Sequence, residues 1–119
     1  LIPFMDTACI KGWRQALDRL AAKDFSIIIP GHGRPMSRVQ FLQWKSAFTN
    51  FADCGASNRP ATDCITGWKK DAAPFIAATH QDYVNDAAQY YLETRLRSPE
   101  AEQQRYCRSL RMSATKSKK

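Results

Sequence analysis

Along most of this chain apolar residues recur at intervals of three and four; in one place they run together. Ile10, Trp13, Leu17, Leu20 and Ala21 fall on one side of a helix predicted over residues 10–23. Arg14, Asp18, Arg19 and Lys23 lie outside that stripe, with Arg14 and Asp18 spaced for a surface ion pair. Phe25, Ile27, Ile28 and Ile29 form a short, largely β-branched run of the kind found in strands buried on both faces. Ser37, with Gln40 three residues on, makes a capping box for a second helix reaching about Asp53. Its apolar stripe, from Phe41 and Leu42 through Trp44, Ala47 and Phe48 to Phe51 and Ala52, is wide enough to pack on two sides.

A third helix is predicted from Ala61 to Phe75, capped by Thr62 or Asp63, with Ile65, Trp68, Ala72 and Phe75 inward. Gly67 weakens it and Pro74 ends or kinks it. A fourth, from Gln81 to Arg97, turns Val84, Ala87, Ala88, Tyr91 and Leu92 inward. Ser98 and Pro99 start a short last helix reaching Leu110. Residues 1–9 read as an apolar, extended lead-in in which Pro3 opposes helix and Asp6 serves a turn or cap. Trp13 reads as a core anchor against the sheet rather than a substrate contact.

The apolar run stops at Pro30, which has no N–H for a ladder. His32 follows between Gly31 and Gly33, residues that allow backbone angles a Cβ would forbid. An imidazole on a tight loop at the C-terminal end of a strand stands where open α/β sheets place ligands. Arg34 is close by and suited to a substrate carboxylate or phosphate. The N-terminus of the second helix offers the same kind of help to an anion. His80, in Thr79-His80-Gln81-Asp82, has no neighbour at ligand spacing and reads as a surface or capping residue.

The segment Pro30-Gly31-His32-Gly33, with the helix around Gly12-Trp13-Arg14 before it, resembles the last metal-binding motif of the metallo-β-lactamase-fold hydrolases. The match is specific over roughly residues 10–42. Further on, Cys54, Arg59-Pro60, Cys64, Gly67-Trp68 and Tyr106-Cys107 resemble the helical extension of exported, quinoprotein-associated zinc metallohydrolases. The resemblance implies an α/β fold class represented here by a mostly helical fragment: the helix–strand–helix end of an αββα sandwich followed by a helical extension. Residues 113–119, polar and low in apolar content, read as a disordered basic tail, while residues 1–53 would be the C-terminal portion of the hydrolase domain and 54–112 the extension. It implies that His32 is a ligand of the second of two zinc ions. The family's other ligands come from a His-x-His-x-Asp-His motif, a further His and a bridging Asp, and this chain has two histidines and no such motif. Hydrolysis of a small-molecule substrate would then belong to a parent protein whose N-terminal remainder completes the site, and the chain alone would be inactive. The alternative is a non-catalytic helical module that binds a protein partner.

Composition changes this picture in three ways. The net charge of +7 is concentrated at one end: residues 1–94 hold ten Lys/Arg and nine Asp/Glu, residues 95–119 eight and two. Such a basic end could contact nucleic acid or anionic lipid, but no aromatic residue interleaves the last lysines. No apolar run is long enough to span a membrane. The four cysteines, Cys9, Cys54, Cys64 and Cys107, allow three pairings. Cys54 and Cys64 bracket a polar loop suited to a disulfide, which would imply a periplasmic or secreted protein. Four free thiols in the cytoplasm are the other reading. A cysteine zinc cluster lacks the Cys-x-x-Cys spacing it needs.

Overall fold

The structure, a computed structural model, describes residues 4–107. Those residues are mostly helical, with a single small hairpin. The elements are α1 (Ile10–Ala21), β1 (Ile27–Ile28), β2 (Met36–Ser37), α2 (Arg38–Ala56), α3 (Ala61–Asp71), α4 (Gln81–Tyr91) and α5 (Glu100–Gln104). Two 3₁₀ turns, Ala73–Phe75 and Ala78–His80, join α3 to α4, and a π-helical turn, Leu92–Leu96, prolongs α4. α5 is the start of the expected last helix; the stretch of it from 108 to Leu110, the basic tail at 113–119 and the first three residues of the lead-in lie outside the described residues.

α2 is the spine, because its stripe meets partners on two sides as its width required. Phe48 is fully buried and stacks on Trp44 of the same helix, with ring centroids 5.7 Å apart. It also meets Trp13 of α1 at 5.9 Å, so Trp13 packs on the core, but against α2 rather than against the sheet. One turn on, Phe51 meets the buried Trp68 of α3 at 5.5 Å. At the other end Phe41 packs edge-on against Phe25, the residue leading into β1. Aromatic pairs in these tilted and offset geometries add to the stabilisation from burial alone.

The capping box at the start of α2 is present: Ser37 Oγ accepts from the Gln40 N–H, and Gln40 Oε1 accepts from the Ser37 N–H. Elsewhere local expectation is overruled by tertiary structure. Arg14 pairs with Asp53 and Asp18 with Lys45, both across to α2 rather than with each other. α3 is entered through Pro60 with no side-chain cap from Thr62 or Asp63, and it ends at Asp71, three residues before Pro74. The fourth helix loses its α-helical ladder after Tyr91, where the Arg97 N–H reaches back five residues to the Leu92 carbonyl at 2.8 Å. Arg95 and Leu96 both end up buried in that wider turn.

The largest departure is the Phe25–Ile29 run. β1 is two residues long and pairs antiparallel with β2, Ile27 opposite Ser37 and Ile28 opposite Met36. Of the three isoleucines only Ile28 packs on the core. Ile27 is 63% and Ile29 77% exposed, so the strand is not buried on both faces. The reason is plain: the sheet has two strands, and among the described residues no further strand extends it.

Two disulfides staple the fold. Cys54–Cys64 closes the α2–α3 hairpin across ten residues, as its loop suggested. Cys9–Cys107 joins the residue that caps α1 to the end of the described chain across 98 residues. No free cysteine remains, and two such bridges fit folding in an oxidising compartment. Among the described residues no helix is long and apolar enough to cross a membrane.

Arginines from distant parts of the chain close the ends of α1 and α2. Arg38 donates to the carbonyls of Ala21 and Lys23 while its guanidinium lies 5.0 Å from the Phe25 ring centroid. Arg97 donates to Gly55 at 3.0 Å, to Cys54 and Ser57, and to the Arg59 carbonyl. Several of these are carbonyls that a helix end leaves without an intrahelical donor. Arg95, 3% exposed, reaches the carbonyls of Ala8 and Glu102 and the Glu102 carboxylate, and lies over Tyr106. Nearby, burial pushes the Tyr91 hydroxyl above the usual tyrosine range, against the opposing effect of its hydrogen bond with the Met5 backbone.

Gly55 is where α2 and the π-helical turn approach closely. A methyl group there would lie 2.8 Å from both Cβ and Cδ1 of Leu96. Alanine is the better helix former by about 1 kcal/mol, but overpacking a core costs about 1–3 kcal/mol. Gly55→Ala is therefore expected to lower the melting temperature. A rise would mean that Leu96 yields and helix propensity decides.

Candidate functional site

The hairpin loop between β1 and β2 carries His32. Of the two glycines flanking it, only Gly33 needs its freedom, with φ at 107°, the only positive φ among the described residues. Gly31 has ordinary backbone angles, and a Cβ there would meet nothing within 4 Å. The turn is thus made by one glycine, and the imidazole it presents is exposed.

The loop faces the corner between α3 and α4. His32, Arg34, Met36 and Gln40 on one side and Phe75, Ile76, His80 and Tyr83 on the other line a cleft of about 530 Å³. That volume is within the usual range for small-molecule sites, roughly 300–1,000 Å³. The chain's two histidines therefore share one cleft, although they are 48 positions apart in sequence. His80 is exposed, as expected of a surface residue, but its place opposite His32 was not legible from its neighbours in sequence. The signal that could have found it is indirect: Pro74 and the two 3₁₀ turns around and after it fold the α3–α4 connection back toward the hairpin.

Arg34 is exposed and, among the described residues, has no acidic partner. The start of α2 has less to offer an anion than its sequence suggested. The Ser37 and Gln40 N–H groups serve the capping box, and the Arg38 N–H is held by the Ser26 carbonyl at 3.0 Å. Arg34 brings the cleft its fixed positive charge.

As a metal site the cleft is incomplete. Among the described residues no group of three His, Cys, Asp or Glu side chains is placed to hold a metal ion. The cysteines are engaged in disulfides and supply no thiolate. His32 and His80 are the nitrogen donors available, and a zinc site takes three or four protein ligands. A zinc ion at His32 would therefore need ligands from outside the described residues. A scan against protein-family models and searches of curated proteins and of solved structures found no match to this chain.

Proposed function

We propose that this chain is the C-terminal portion of a zinc-dependent hydrolase of the metallo-β-lactamase superfamily. In this reading His32 contributes one ligand to a site whose other ligands lie in the N-terminal remainder of the protein. The observation that carries it is the placement of His32: an exposed imidazole on a glycine turn, at the end of an apolar strand and at the mouth of a cleft of substrate size. Zinc bound there would lower the pKa of its water and so supply hydroxide near neutral pH. The chain's own part is to hold the ligand loop against α2, through the Ser37–Gln40 box and Arg38, and to wall the cleft. The uncovered faces of Ile27 and Ile29 also fit this reading, since in an αββα sandwich that strand is flanked by others. The two disulfides agree with a periplasmic or secreted site of action.

In a polypeptide that includes the upstream domain, His32→Ala is expected to remove one of two zinc ions by elemental analysis. Zinc content equal to that of the unaltered protein would sink the assignment.

A second reading has one observation in its favour. Ile27, Ile29 and Val39, all on the hairpin or the first turn of α2, are more than 60% exposed, as is Phe4 in the lead-in. Large exposed apolar side chains that gather into a contiguous patch mark contact surfaces. A non-catalytic helical module binding a protein partner would use that surface and would leave His32 without a metal.

A further inference from the structure

We infer that the cleft between the His32 loop and the α3–α4 corner binds a small anionic amphiphile, its acid group held by Arg34 and its apolar body laid along Phe75, Ile76 and Tyr83. The inference rests on the hydrolase reading only in naming the substrate class for the site that His32 would serve; the binding itself needs no metal.

The walls divide by chemistry. The α3–α4 side supplies Pro74, Phe75, Ile76, Ala77 and Tyr83, a largely apolar surface that also carries His80. Tyr83 is 66% exposed at its rim, with much of its ring open to a ligand. The loop side supplies most of the polar groups: His32, Arg34 and Gln40. Among the described residues no carboxylate lines the cleft, and Arg34 is its one residue of fixed charge. A cation without an acidic partner, facing an apolar wall across a space of about 530 Å³, selects for a ligand with a negative end and a greasy one. A neutral apolar molecule would leave the guanidinium unused, and a small inorganic anion would leave the wall bare.

The test uses the 119-residue chain after treatment with a chelator, so that zinc plays no part. Octanoate and octanol are titrated separately while backbone amide resonances are followed by NMR. Octanoate is expected to shift resonances of residues 32–36 and 74–84 and to bind at least about tenfold more tightly than octanol, the usual worth of one charge-assisted contact. Arg34→Gln, at an exposed position, is expected to remove that preference and leave octanol binding as it was. Tyr83→Ala, also exposed, is expected to weaken both ligands severalfold. Equal affinity for the two ligands, shifts clustered elsewhere, or an octanoate affinity untouched by Arg34→Gln would each overturn the inference. Failure of His32→Ala to change zinc content would count against the hydrolase reading alone, because the octanoate titration is done without metal.

Discussion

Replacing Cys9 and Cys107 together by serine is expected to cost about 4.7 kcal/mol of folding stability, by the loop-entropy relation for a closed loop of about 100 residues. The same relation gives about 2.7 kcal/mol for the pair Cys54 and Cys64, which closes ten. The difference follows from how much of the unfolded chain each bridge restrains. Cys9–Cys107 spans nearly all of the described residues, so without it the unfolded ensemble regains the full separation of its ends. Small domains are stable by only about 5–15 kcal/mol, so the long bridge is a large share of what holds this one together. Urea denaturation of the two double-serine variants checks the order. If the Cys54/Cys64 variant were the less stable, local closure of the α2–α3 hairpin would matter more than chain entropy.

The second large effect belongs to Trp68. Its side chain is 1% exposed and packs on Phe51, linking α3 to the spine. Trp68→Ala is expected to cost about 3–5 kcal/mol, through lost burial and the cavity left behind. The indole Nε1, however, is buried and has no hydrogen-bond partner among the described residues. An unsatisfied buried donor costs about 1–3 kcal/mol. Trp68→Phe removes that donor while keeping a ring against Phe51. It is expected to cost less than about 2 kcal/mol, because relief of the unpaired N–H offsets part of the lost volume. Thermal melts of both variants decide the matter: if phenylalanine is as damaging as alanine, the indole N–H is contributing and has a partner such as water.

The helices were legible because their information is local. Ser37 and Gln40 mark the start of α2, and the residues from Phe41 to Phe51 mark its face, without reference to anything distant. The mostly helical character and the Cys54–Cys64 bridge could be read in the same way. What failed depends on partners far along the chain. Arg14 and Asp18 have good spacing for each other, yet Asp53 and Lys45 of α2 take them as partners. The π-helical turn after Tyr91 has no signature in its sequence; it lies where Leu92 and Leu96 pack closely on Gly55. Ile27 and Ile29 show the opposite limit. Their pattern describes a buried environment that the described residues do not supply. In the site, His32 and Arg34 were visible from the loop itself, whereas the apolar wall and His80 came from the return of the α3–α4 corner.

The arginines at the ends of α1 and α2 have a consequence for the order of events in folding. Arg38 closes α1 only after the chain has turned through the hairpin, and Arg97 closes α2 only after α3 and α4 have been laid down. The sequence gaps are 15 residues from Arg38 to Lys23 and 42 from Arg97 to Gly55. Contacts at such separation reward the chain only once the intervening loops are closed. The last turns of both helices are thus finished late, by groups that are not their own. This couples helices that could otherwise fray one at a time: to open the end of α2 is also to break the Arg97 contacts that tie it to the turn following α4.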